Sequence, residues 1–135
     1  MSPSLAAQVL KVRSFLAFDF GVHRVGVACG NSLTRSAQPL QSVSGAARFD
    51  AIGKLIAEWQ PDALVVGVPF HPDGAAHENT ERARRFARQL HGRFNLPVYE
   101  VDERYTTTEA RAAGAADLDA ASAAIILEQF LRGLT

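Results

Sequence analysis

The apolar residues of this chain change their period several times, and each change marks an element. Phe15 to Phe20 (FLAFDF) is an aromatic-rich apolar run that stops at Gly21, the pattern of a buried strand entering a turn. Val25 to Cys29 (VGVAC) follows after a few residues, so the spacing predicts an antiparallel hairpin. A weaker third strand is predicted over Gln38 to Val43, after the polar segment NSLTRS. Phe49, Ile52, Leu55, Ile56 and Trp59 then recur at the spacing of one helical face, and Pro61 stops that helix. Ala63 to Val68 (ALVVGV) is apolar without alternation, as parallel strands covered by helices on both faces are. Pro69 to His77 reads as a loop, followed by a long helix with Ala83, Phe86, Ala87 and Leu90 facing inward. Val98 to Val101 forms a fifth strand running into the polar DERYTTTEA, and a last helix spans Asp119 to Leu131. The predicted order is βββαβαβα, an α/β fold on a mixed five-stranded sheet with helices on both faces. The alanine-rich stretch Ala110 to Ala116 suits helix or loop equally.

Composition narrows what such a domain can do. The 135 residues suit one domain, expected over 14–135 behind a flexible extension over 1–13. Lys+Arg and Asp+Glu both number 14, so the formal charge is zero. That excludes a strongly basic binder whose affinity comes from counterion release over a broad surface; any nucleic-acid contact must use a local patch. The single cysteine, Cys29, cannot form an internal disulfide, which fits a reducing cytoplasm. The N-terminal MSPSLAAQVLKVR does not read as a signal peptide, and no segment approaches the roughly 20 apolar residues of a membrane span.

Asp19 stands out, because it lies among Leu16, Ala17, Phe18 and Phe20. An ionised carboxylate there is costly unless it is paired or metal-bound. Alternation puts it on the face of Ala17, opposite Phe18 and Phe20, near a strand end of the kind that carries ligand sites in α/β sheets. A bond to turn amides or a pair with Arg24 would equally explain it. Glu103, within Asp102-Glu103-Arg104, follows the fifth strand, whose C-terminal end shares an edge with Asp19 if the two strands are parallel. An internal ion pair in a solvated cluster is its plainer explanation. Asp119 precedes the apolar helix AASAAIIL, where either it or Asp117 suits the helix cap. Together the three acids offer the oxygen donors that Mg²⁺ and Mn²⁺ prefer, and phosphodiester hydrolysis uses such ions. No paired cysteines suggest zinc, and His23, His71, His77 and His91 lack ligand spacing. Cys29 in an apolar strand does not read as a nucleophile.

Basic residues form a second rank. Arg82, Arg84, Arg85 and Arg88 flank the apolar face of the second helix, where Glu78 and Glu81 are available as ion-pair partners. His23 and Arg24 lie nearer Asp19, and the planar fork of Arg24 suits a phosphate.

FDFGVHRVGVA, VVGVPFHPDG, VDERYTTTEA and DAASAAIILEQFL, in this order, resemble the YqgF family of bacterial proteins, which are similar to Holliday-junction resolvases. The resemblance covers Ser14 to Phe130 and implies an RNase H-like fold and a nuclease processing the 5′ end of pre-16S rRNA during ribosome biogenesis. It places the family's acids on Asp19, Glu103 and Asp119, as catalytic ligands of Mg²⁺ or Mn²⁺, and Asp117 does not match. Structured RNA is the implied partner ahead of a DNA junction, with precursor ribosomal particles as its setting, and with Arg24, His23, Arg82, Arg85 and Arg104 as contacts. A monomer or weak homodimer and a cytoplasmic location are expected. Two positions depart from the family pattern: His23 replaces a usual Lys or other polar residue, and the stretch between Thr108 and Asp117 is shorter than usual and lacks the basic residue commonly found before the final Asp. In an RNase H-like sheet the fifth strand is not adjacent to the first, which separates the backbones of Glu103 and Asp19 by about 10 Å. A DNA resolvase, a non-catalytic RNA- or nucleotide-binding protein and an ATP-binding domain of the actin and sugar-kinase type are the alternatives; the last needs two such domains, and this chain supplies one.

Overall fold

The computed structural model describes residues 11–105 and 117–134. Its elements are β1 (Ser14–Phe20), β2 (Arg24–Asn31), β3 (Ala37–Ser44), α1 (Arg48–Trp59), β4 (Ala63–Val68), α2 (Thr80–Phe94), β5 (Val98–Asp102), a 3₁₀ turn (Glu103–Tyr105) and α3 (Leu118–Arg132). The expected order is therefore observed, with β4 as expected and the other strands extended by one to a few residues at their ends. The alanine-rich 110–116 and most of the expected N-terminal extension lie outside the described residues.

The strands form one sheet in the order β3-β2-β1-β4-β5. β1 to β3 pair antiparallel, whereas β1, β4 and β5 are mutually parallel. The parallel strands bring the C-terminal ends of β1 and β5 to one edge. The weak pattern of β3 has a local cause: its register against β2 slips between Val27 and Ala28, where Pro39 sits on this edge strand. Proline lacks the N–H of a ladder residue and is tolerated at edges and bulges.

Side chains alternate between two cores. Leu16, Phe18, Val25, Val27, Leu64 and Val66 pack against α1 and α2 through Ile52, Leu55, Phe86 and Leu90. Phe15, Ala17, Ala63 and Val65 face α3 through Ile126, Leu127 and Leu131. β4 is apolar throughout, and β1 apart from Ser14 and Asp19, because helices cover both of their faces. Asp19 falls on the α3 face by this alternation.

Candidate active site

The register places Ser42, Gly26, Asp19, Gly67 and Val101 in one row across five strands. Paired residues present the same face, so Asp19 is flanked on both sides by glycines. Those glycines leave room that other parts of the chain fill. A Cβ at Gly26 would lie 1.9 Å from the backbone oxygen of Asp119 and 2.8 Å from the nitrogen of Ala120. A Cβ at Gly67 would lie 2.6 Å from Oε1 of Glu103 and 2.5 Å from Cδ1 of Ile126. The first turn of α3 and the side chain of Glu103 therefore sit over the two strands beside Asp19, each about 5 Å away by strand spacing. β4 does separate β5 from β1, but Glu103 reaches back over Gly67 and closes half of that gap.

The tripeptide Asp102-Glu103-Arg104, which spans the end of β5 and the start of the 3₁₀ turn, splits its duties. Asp102 accepts from Arg104, at 2.7 Å from Nη2, 3.0 Å from Nε and 2.9 Å from the backbone N–H. The Arg104 side chain, the largest influence, holds the Asp102 carboxyl below the usual carboxylate range. The internal ion pair of the cluster thus belongs to Asp102 and Arg104, while Glu103 turns to the Asp19 face. The guanidinium of Arg104 also lies over the Phe70 ring, 5.6 Å from its centroid.

At the start of α3 the two aspartates are also distinguished. Asp117 is the cap: its Oδ1 accepts from the Ala120 N–H at 2.9 Å, and the Ser42 hydroxyl donates to its carboxylate at 2.7 Å. Burial pushes the Asp117 carboxyl up, but the hydrogen bonds from Ala120, Ser42 and Asp119 outweigh it and the net direction is down. Capping therefore does not account for Asp119. Its half-buried carboxylate meets Arg24 instead, with Nε 3.1 Å from Oδ2.

The other expected contacts disperse. Arg82 and Arg85 are on α2, which packs on the face opposite Asp19. Arg82 donates to Asn79, Arg84 pairs with Glu100 and Arg88 pairs with Glu81. His71 and His77 come together, with ring centroids 5.0 Å apart, which their spacing in sequence did not suggest. Nδ1 of His77 accepts from the Asn79 N–H, so this pair serves the loop before α2. The Thr80 hydroxyl ties the same loop by donating to the Pro69 carbonyl. Burial pushes the Cys29 thiol up, which suits an inert thiol.

Among the described residues, no group of three or more His, Cys, Asp or Glu side chains stands in a metal-holding arrangement. The donor types around Asp19 nonetheless match a hard cation, being carboxylate oxygens without sulfur or imidazole. Also among the described residues, no helix is long and apolar enough to cross a membrane.

A mixed sheet of this order, with helices on both faces and with Asp19 and Glu103 at the C-terminal ends of its parallel strands, defines an RNase H-like α/β protein of the resolvase type. RuvC of Thermus thermophilus, solved in complex with a Holliday junction substrate, shares this fold with a TM-score of 0.59 at 14% identity, over 89% of this chain and 94% of that one. The sequence profile described as "RuvX: Holliday junction resolvase" matches residues 13–133, and the chain belongs to that family. It is thus a nuclease, a hydrolase of phosphodiester bonds, and the resemblance carried by the four motifs is borne out. Relatives named "Putative pre-16S rRNA nuclease" are 67% identical over 125 residues in Polaromonas sp. (91% of this chain and of the relative) and in Albidiferax ferrireducens (91% and 80%).

Proposed function

We propose that the protein is a divalent-metal-dependent nuclease that processes the 5′ end of pre-16S rRNA in the cytoplasm, with Asp19, Glu103 and Asp119 as its catalytic carboxylates. The observation that carries this reading is the pair of glycines beside Asp19: their missing side chains admit Glu103 from one side and the start of α3 from the other. The three carboxylates would hold Mg²⁺ or Mn²⁺, which would activate a water and stabilise charge on the leaving oxygen. Asp19, on rigid strand β1, is the fixed centre of the group, whereas Glu103 and Asp119 stand on segments anchored by Asp102–Arg104 and by the Asp117 cap. Arg24 holds the Asp119 carboxylate through Nε, and its terminal nitrogens suit a phosphate oxygen at the same edge. The relatives' names support a precursor rRNA as the substrate; we take it to be structured and carried on precursor ribosomal particles, with the protein acting as a monomer or weak homodimer.

The test is cleavage of 5′ precursor fragments of 16S rRNA with Mg²⁺ or Mn²⁺, comparing wild type with Asp19→Asn. The variant is expected to lose about 100-fold or more, the upper range for loss of groups supporting a metal site. Wild-type activity in the folded variant would remove Asp19 from the chemistry. The shared fold of RuvC and the description of the family favour a second substrate, the four-way DNA junction. Preferential cutting of a junction in the same assay would replace the RNA assignment and leave the carboxylate chemistry intact.

A further inference from the structure

We propose that a basic recess beside the acid edge binds a backbone phosphate of the nucleic-acid substrate, through Arg48 and Arg93 with His23 at its rim. This rests on the nuclease reading and adds a contact point away from the three acids. The recess has a volume of about 470 Å³ and lies between the β1–β2 turn, the β3–α1 turn and the last turn of α2. Both arginines lie against aromatic rings. The Arg48 guanidinium is 5.7 Å from the centroids of Phe20 and of Phe49, and that of Arg93 is 4.1 Å from Phe49. Arg48 also donates to the Val22 carbonyl at 3.4 Å. Neither arginine forms an ion pair among the described residues, in contrast to Arg24, Arg84, Arg88, Arg104 and Arg132.

Helix stability does not explain the arrangement. Arg93 in the last turn of α2 complements that helix's dipole, but Arg48 is the first residue of α1, where the dipole disfavours a cation. Stacking on a ring fixes a guanidinium plane and leaves its N–H edge directed outward, the geometry that suits a phosphate. Asp50 and Lys54 line the adjoining groove beside Arg93, and their opposite charges offset one another. A net-neutral chain that binds nucleic acid needs such a local concentration of cations.

The position suits a strand that also reaches Asp19. Phe20, under Arg48, directly follows Asp19 and points to the other face of the sheet. The short turn over Gly21, Val22 and His23 separates the recess from the acids. A substrate crossing this turn would place one phosphate at the carboxylates and a neighbouring one against Arg48 and Arg93.

The test measures binding, so that it remains readable whatever happens to cleavage. In an Asp19→Asn background, the affinity for a labelled 5′ precursor fragment of 16S rRNA is measured across a salt series for Arg48→Gln, Arg93→Gln and the double variant. Arg132→Gln serves as a control for loss of one exposed charge. Each recess variant is expected to weaken binding several-fold and to lower the slope of log affinity against log salt by about 1, with the double variant losing about 2. The control keeps its slope. Unchanged slopes in the double variant, or an equal loss in the control, overturn the proposal. Arg93 is exposed, so its variant stays informative if removal of the half-buried Arg48 disturbs folding. Inorganic phosphate at fixed ionic strength is the second probe. Weak competition that disappears in the double variant supports a site for chain phosphates, whereas saturation by phosphate alone at concentrations that leave RNA bound elsewhere overturns it. Cleavage surviving in Asp19→Asn would count against the carboxylate chemistry, and the salt slopes would still judge the recess.

Discussion

Replacing Gly67 with alanine separates the stability of this fold from its proposed chemistry. The new methyl would lie 2.5 Å from Cδ1 of Ile126 and 2.6 Å from Oε1 of Glu103. Carbon atoms rest at about 3.5–4.0 Å, so both groups must retreat by roughly 1 Å. Each is the far end of a rotatable side chain, which puts the overpacking penalty near the low end of about 1–3 kcal/mol. Loss of glycine's freedom in the unfolded chain returns about 0.4–1 kcal/mol. The net destabilisation is then about 0.5 kcal/mol or less, a fall in Tm of roughly 2 °C for a domain of this size. The effect on cleavage is much larger, because a misplacement of about 1 Å in a catalytic group can cost about 100-fold. Gly26→Ala provides the contrast, since its methyl would meet the backbone oxygen of Asp119 at 1.9 Å and only a shift of α3 relieves it. Its expected destabilisation is about 3 kcal/mol or more. Thermal unfolding and initial cleavage rates on the same samples test both variants. A Gly67→Ala protein that cuts at the wild-type rate would refute the role of Glu103, and a Gly26→Ala protein as stable as wild type would refute the close approach of α3.

Asp117→Ala removes the helix cap and should destabilise by about 1–2 kcal/mol in urea unfolding. Because folding lowers the Asp117 pKa, the stability linked to its ionisation is present above the unfolded value and is lost as pH falls through the lower folded one. The stability gap between wild type and Asp117→Asn should therefore narrow in strong acid, and a gap that widens there would reverse the assignment. Arg24→Gln breaks a pair in which the arginine is 67% exposed, so stability should change by less than about 1 kcal/mol while RNA affinity falls and its salt slope drops by about 1. Phe86→Ala empties the centre of a cluster formed with Phe18, Phe20 and Phe49, and should cost about 3–5 kcal/mol by denaturant midpoint.

Period and punctuation alone determined the order of strands and helices. The unbroken apolar run of β4 announced a strand covered on both faces and the run of β1 a buried strand, and Asp19 was conspicuous because a charge in such a run needs a reason. Alternation also assigned Asp19 to the face of Ala17, where it is found. β3 was faint because Pro39 and the register slip interrupt its ladder, and such a slip depends on the partner strand rather than on the local sequence. Local pattern left the choice between Asp117 and Asp119 open, since both suit a helix start; the cap is decided by Ser42, 75 residues earlier, which meets Asp117 across the sheet edge. The sequence had marked Gly26 and Gly67 only as members of apolar runs. Their part in the site comes from pairing on either side of Asp19, which admits Glu103 and α3 where side chains would otherwise stand. The grouping of Phe20, Arg48 with its neighbour Phe49, and Arg93 was equally invisible, because these three segments lie far apart in sequence and only the packing of α1 and α2 on one face joins them. Local propensity acts over a few neighbours, whereas a site is assembled by register and packing between segments that the chain keeps distant.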